Sequence, residues 1–187
     1  EQGLHIWHHV DAAYGGYFCS TFRSGESLLA EKAVSAFSAL SRVDSVTLDP
    51  HKLGFVPYAC GAFLVREPHS YSVSQISAPY LRQDEKAEHP SWSTTLEGSR
   101  SATGAGAVWL SAKVLPLDAS GHGAILNQTL AVRNQLADKL NVAFNNVHFM
   151  PGSDTNIVSF VLAPAGAALS DVNAITSAII DSFDNSP

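Results

Sequence analysis

The chain divides by hydropathy into segments whose periods alternate between strand and helix. Residues 4-LHIWHHVDAAYGG-16 form an apolar run that reads as a buried strand. It ends at Asp11 and passes into a glycine-containing turn. Residues 26-ESLLAEKAVSAFSAL-40 are rich in Ala and Leu and read as a helix. Residues 43-VDSVTLD-49 read as a second strand, closed by Pro50 because proline cannot donate to a ladder. Residues 60-CGAFLVR-66 read as a third. Strand, helix, strand in this order predicts an α/β layered sheet.

Residues 67–97 hold three prolines and mixed charge with no period. They are expected to form a long loop, of the kind that serves as a lid or binding loop. Residues 99-SRSATGAGAVWLSAKVL-115 read as a helix rich in small side chains. In 121–144, Ile125, Val132, Leu136 and Leu140 share one helical face. Residues 155-TNIVSFVL-162 alternate as a strand, and 170-SDVNAITSAIIDSF-183 read as a helix capped by Ser170. The break near 115–121 is the expected boundary between residues 1–117 and 118–187.

With 187 residues, 45% of them hydrophobic, the chain can bury a core. Its charged share of 15% lies below the usual roughly 25%. Part of the surface is therefore expected to lie under a partner subunit or further chain. A net charge of -6 with no basic run argues against nucleic-acid binding. No apolar stretch approaches the roughly 20 residues of a membrane span, and no signal peptide is visible. Cys19 and Cys60 form no C-x-x-C and read as buried small hydrophobes in a reducing compartment, so a cytoplasmic location is expected. His8, His9 and Asp11 do not make a metal site, because neighbours on a strand point to opposite faces. Gly104 and Gly106 lack the third glycine of a dinucleotide loop; close helix packing explains them better.

The chemistry concentrates in 49-DPHK-52. A lysine after a strand end is a candidate nucleophilic amine when its surroundings lower its pKa. Enzymes that use pyridoxal phosphate need such a lysine, together with an acid that keeps the pyridine nitrogen protonated. Asp11 also stands at a strand end, and parallel neighbouring strands would bring it and Lys52 to one rim of the sheet. His51 and Asp49 flank the lysine and could contact phosphate or tune the site. On spacing alone, a solvent-facing lysine in a turn and an aspartate capping a helix explain the pattern at least as well.

Residues 9-HVDAAYGG-16 and 49-DPHKLGFVPYACGAFLVR-66 resemble the two signature blocks of the group II pyridoxal-phosphate-dependent amino-acid decarboxylases. That family includes the aromatic-amino-acid, glutamate, tyrosine and diaminobutyrate decarboxylases. The resemblance continues through 79-PYLR-82 and 96-LEGSRS-101, and more faintly through 121–144. It implies an aspartate-aminotransferase-type α/β fold: the C-terminal part of the large cofactor domain up to residue 117, then a linker helix and the start of the small domain. It implies that Lys52 forms a Schiff base with pyridoxal phosphate, that Asp11 pairs with the ring nitrogen and that Ala13 packs on the ring face. His51 would lie by the phosphate and Schiff base. Asp49, which is Asn in many relatives, would help hold the phosphate through backbone or water, since two negative charges repel. Tyr80 matches the loop tyrosine that returns a proton after carbon dioxide leaves, reaching into the neighbouring subunit's site. An exposed loop tyrosine is the plainer alternative for Tyr80. Ser99 and Arg100 resemble the block near the cofactor and dimer interface, or else form an ordinary helix start.

The resemblance implies an amino-acid substrate and a homodimer; the segment does not fix which amino acid, with the 79-PYLR-82 loop leaning slightly to an aromatic one, and charge and hydropathy argue against a nucleic-acid or membrane partner. Other lyases and transaminases on the same fold, or a non-catalytic remnant, are the alternatives. No phosphate cup appears in residues 1–10 and no arginine can be assigned to the substrate carboxylate. Glu1 is not Met, and 181-DSFDNSP-187 shows no domain ending, so the chain is expected to be an internal fragment that is inactive alone.

Overall fold

A computed structural model describes residues 3–4, 6–74 and 101–185. Three strands form the first sheet, in the order β1 (His9–Asp11), β2 (Ser45–Leu48), β3 (Ala62–Val65). β1 runs parallel to β2 with His9 opposite Ser45 and Asp11 opposite Thr47. β3 is antiparallel, with Ser45 opposite Val65. Parallel neighbours need a long crossover. Residues 12–44 supply it as a 3-10 turn (Gly16–Phe18), α1 (Cys19–Phe22), α2 (Glu31–Ser38) and a 3-10 extension (Ala39–Arg42). Helices α3 (Thr103–Val114) and α4 (His122–Ala143) follow. A two-stranded antiparallel sheet, β4 (Val147–Phe149) and β5 (Phe160–Leu162), then leads to α5 (Leu169–Asp184). No described helix is long and apolar enough to cross a membrane.

The core gathers Tyr17, Phe18, Leu29, Ala33, Leu53, Leu126 and Leu130, so α1, α2, α4 and the turn after β2 meet in one cluster. Phe18 stacks near Phe37, with ring centroids 6.4 Å apart. Leu53 anchors the turn that carries Lys52 in this cluster.

Several expectations change. The first strand is short and uncovered: Leu4, Ile6 and Trp7 are exposed, because no described strand pairs with the outer edge of β1. α2 starts at Glu31 rather than Glu26, because other elements hold the preceding backbone. Asn127 of α4 accepts the Leu28 N–H (3.0 Å) and donates to the Glu26 carbonyl (3.1 Å). α4 is a helix as its period requires, but a different stripe is covered: Leu126 and Leu130 are 0% and 1% exposed, while Val132 is 61% exposed. α1 and the 3-10 turn pack on α4 and take the Leu126 side. β4 has no counterpart in the sequence reading. α5 is capped by Asp171, whose carboxylate accepts the Ala168 N–H (3.0 Å), not by Ser170. Gly104 does pack closely, since a Cβ there would lie 3.1 Å from the Cys60 sulfur; Gly106 faces open space. Within the expected loop, Pro68–Ser74 form a 3-10 helix.

Candidate active site

Two strand ends set the geometry. β1 stops at Asp11, whose Oδ1 accepts the Ala13 N–H (3.0 Å) and closes an aspartate turn. β2 stops at Leu48, ahead of Asp49 and Pro50. Because the strands are parallel, both C-terminal ends reach one rim, where α/β sheets put their ligands. The Asp49 N–H donates to the Ala13 carbonyl (3.2 Å) and ties the two ends together.

The turn after β2 is closed by its own backbone. Lys52 N–H donates to Asp49 O (3.0 Å), Phe55 N–H to Lys52 O (3.2 Å) and Val56 N–H to Pro50 O (3.2 Å). With Leu53 turned into the core, its neighbour Lys52 is left partly in solvent. The Lys52 Nζ lies 2.8 Å from Asp49 Oδ2, and the His51 Nε2 is 3.7 Å from that same oxygen. The His51 Nδ1 sits within hydrogen-bond reach of both the N–H (3.1 Å) and the carbonyl of Cys60, so either tautomer is held there. The His51 ring leans on Tyr58 with centroids 4.1 Å apart.

The geometry does not lower the Lys52 pKa. The hydrogen bond to Asp49 raises it above the ordinary lysine value, desolvation opposes this, and the charges of Asp49, Asp11 and Tyr58 add to the rise. The amine therefore rests as an ammonium held by Asp49. Asp11 acts on Lys52 through its charge, as expected of two groups on one rim.

Lys52, His51, Asp49, Asp11 and Ala13 thus converge on one rim. Tyr80, Ser99 and Arg100 lie outside the described residues. The His9 ring is engaged by β2 hydroxyls, Nδ1 with Ser45 Oγ (2.8 Å) and Nε2 with Thr47 Oγ1 (3.1 Å). Among the described residues no three His, Cys, Asp or Glu side chains cluster as metal ligands. Burial pushes the Cys19 thiol up, which fits an inert role.

Sequence reasoning missed the reach of the second sheet. Its 150–157 turn meets the rim: Tyr14 OH donates to Asn156 Oδ1 (2.9 Å), and Lys32 pairs with Asp154 (3.1 Å). Between them lies a cleft of about 540 Å³ lined by Asp11, Ala12, Phe37, Met150 and Asp154 among others. These partners stand over 100 residues apart in the chain, so no local signal marks them.

The chain matches the family model described as the pyridoxal-dependent decarboxylase conserved domain over residues 2–162. It is 30% identical over 220 residues to an L-tyrosine decarboxylase of Enterococcus faecium, covering 100% of this chain and 35% of that protein. It is 30% identical over 160 residues to an L-aspartate decarboxylase of Thermococcus kodakarensis, covering 86% and 38%. The chain thus spans about a third of the length of the curated relatives it matches. Oryza sativa TDC, solved with PLP and tryptamine, superposes with a TM-score of 0.73 at 18% identity, over 94% of this chain and 35% of that one. Catharanthus roseus tryptophan decarboxylase, in complex with L-tryptophan, gives 0.69 at 19% identity, over 95% and 34%. These likenesses show that the chain has part of the fold of those larger α/β proteins, as its signature blocks imply. The match across residues 2–162 makes the chain a member of the pyridoxal-dependent decarboxylase family.

Proposed function

We propose that the whole protein removes the carboxylate of an aromatic L-amino acid as carbon dioxide, with pyridoxal phosphate held covalently by Lys52. The observation that carries this is the shared rim: an amine just after β2 and a carboxylate at the end of parallel β1, with the two strand ends tied by the Asp49 N–H to Ala13 carbonyl bond (3.2 Å). The aromatic preference is supported by the relatives named L-tyrosine decarboxylase. L-aspartate is the competing substrate, from the relatives named for it.

The donor set fits the cofactor. When bound, pyridoxal phosphate supplies an electron-withdrawing ring that makes loss of the substrate carboxylate feasible. Lys52 provides the nucleophilic amine, and must first leave Asp49 and give up a proton. Asp11, oriented by the Ala13 N–H, would keep a proton on the ring nitrogen. Ala13 would pack its small side chain on the ring face. His51, anchored to Cys60 and Tyr58, borders the site and restricts where the Asp49 carboxylate can move. Asp49 in turn receives the lysine when the amine is free of cofactor. By the resemblance of their blocks alone, Tyr80 would return a proton to the substrate carbon and Ser99 would contact the cofactor.

In this reading residues 1–117 are the end of the cofactor domain and 118–187 the linker helix with the start of a small domain. The separation of the two sheets and the irregular 115–121 segment support that division. A homodimer and a cytoplasmic location belong to the same reading. Exposed Trp109, Leu110 and Val114 on α3 support a covering subunit, and two free cysteines fit a reducing compartment.

The test is borohydride reduction of the whole protein with pyridoxal phosphate, peptide mapping, and product analysis with L-tyrosine and L-aspartate. A pyridoxyl group on Lys52 alone, with amine and carbon dioxide formed, is the expected result. Adducts scattered over surface lysines, or keto acid or aldehyde products, would overturn it.

A further inference from the structure

His122 is 1% exposed, and neither the two signature blocks nor the rim uses it. It opens α4 within 121-GHG-123. Its Nε2 lies 3.1 Å from the Gly54 carbonyl, and its Nδ1 lies 3.2 Å from the Leu115 carbonyl. A neutral imidazole has one N–H and serves one of these oxygens; an imidazolium serves both. The ring also stacks on Phe55, with centroids 6.0 Å apart at 18°, and tilts against Tyr17 at 5.6 Å.

Gly54 and Phe55 are the second and third residues after Lys52. Phe55 stands at φ 57°, a left-handed conformation that a bulky residue keeps only when its surroundings impose it. The His122 ring and its bond to Gly54 are such surroundings. Both glycines beside His122 are needed for the approach. A Cβ on Gly121 would fall on the Pro116 carbonyl, and one on Gly123 would fall on the Ser20 carbonyl. The His122 N–H itself donates to Pro116 O (2.9 Å), which seats the ring under the 115–121 segment.

We propose that His122 is a positioning residue for Lys52: it staples the Gly54 carbonyl, and so the strained turn behind the lysine, to the start of α4. The inference rests on Lys52 being the cofactor-bearing residue. It concerns a group that touches neither cofactor nor substrate.

The test uses the whole protein with His122→Phe and His122→Gln. His122→Phe keeps an aromatic ring against Tyr17 and Phe55 and removes both ring nitrogens. His122→Gln restores an N–H that can reach Gly54 O. The first readout, without cofactor, is hydrogen exchange at the Phe55 and Val56 amides, which close the turn on Lys52 O and Pro50 O. His122→Phe is expected to speed it roughly ten-fold, with His122→Gln between it and wild type, and with no change in the last turns of α4. The second readout is the share of pyridoxal phosphate trapped on Lys52, expected to fall several-fold in His122→Phe and to recover in part in His122→Gln. Unchanged exchange at Phe55 and Val56, or equally faster exchange everywhere, overturns the staple. Faster exchange with unchanged trapping overturns the positioning of Lys52. If wild type itself takes no cofactor at Lys52, the proposed function fails, while the exchange result still decides the staple. Should His122→Phe not fold, imidazole nitrogen NMR of the wild type decides. A slowly exchanging ring N–H coupled to the Gly54 carbonyl carbon supports the staple, and its absence refutes it.

Discussion

Replacing Gly54 by Ala puts one methyl group into the turn that carries Lys52. Its Cβ would lie 2.5 Å from the Pro50 carbonyl oxygen and 2.6 Å from the Tyr17 ring and hydroxyl. Neither neighbour can move freely. The Pro50 carbonyl accepts the Val56 N–H, and Tyr17 is part of the core. Gly54 is not among the glycines at positive φ, so the cost is one of space alone. Overpacking of this kind costs about 1–3 kcal/mol. The smaller entropy of the unfolded alanine chain returns about 0.4–1 kcal/mol. Taking the midpoints, the net loss is about 1.3 kcal/mol. At this chain length that lowers Tm by about 3–5 °C. Gly106→Ala is the matched control: it lies within α3 and its Cβ would meet nothing within 4 Å. There the helix gains about 0.5–1 kcal/mol, and Tm rises by about 1–4 °C. Thermal and urea unfolding followed by circular dichroism would compare the two. If Gly54→Ala matched or exceeded wild type, or if both variants moved the same way, the packing described around the Lys52 turn would be wrong.

Other consequences can be measured in parallel. Leu126→Ala, at a fully buried position, should cost about 2–5 kcal/mol in urea unfolding, against under about 1 kcal/mol for Val132→Ala on the open face of α4; equal costs would reject the assignment of the covered stripe. Asp49→Asn removes the negative charge that strengthens the hydrogen bond to Lys52 and raises the Lys52 pKa, so trapping of pyridoxal phosphate on Lys52 should begin at lower pH than in wild type. Coincident pH profiles would count against the ion pair as the resting state of the lysine. Asp118 has its carboxyl held below the usual aspartate range by the Ser120 hydroxyl first and the Ser120 N–H second. A folded pKa below the unfolded one contributes stability above the unfolded value of about 3.9, lost as pH falls through the folded one. Ser120→Ala should therefore be less stable than wild type at neutral pH, with the gap narrowing in acid. A gap that stayed constant down to the acid unfolding limit would disprove the linkage.

Asp11 and Lys52 were legible because their signals are local. A strand that ends in an acid before a glycine turn, and one that ends before Asp-Pro, can be read within a few residues, and the two blocks together resemble one family. What holds the Lys52 amine was not legible: the turn brings Asp49 to 2.8 Å of it, and that contact raises its pKa. α4 shows the same division. Its period marks a helix, yet the period offers both Ile125 and Leu126 as apolar, and only packing against α1 selects Leu126. The start of α2 depends on Asn127, about a hundred residues away. His122 looks like an ordinary histidine between glycines until Gly54, 68 residues earlier, is seen to face its ring.

By itself, then, the sequence determined the order of most elements, the strand ends that bear Asp11 and Lys52, and the family. These follow from preferences that each residue shares with its near neighbours. The tertiary structure alone decided which stripe of α4 is covered, which carboxylate holds the Lys52 amine, and which carbonyls His122 meets. Burial and electrostatic fields are sums over groups close in space, and most of those groups are distant along the chain.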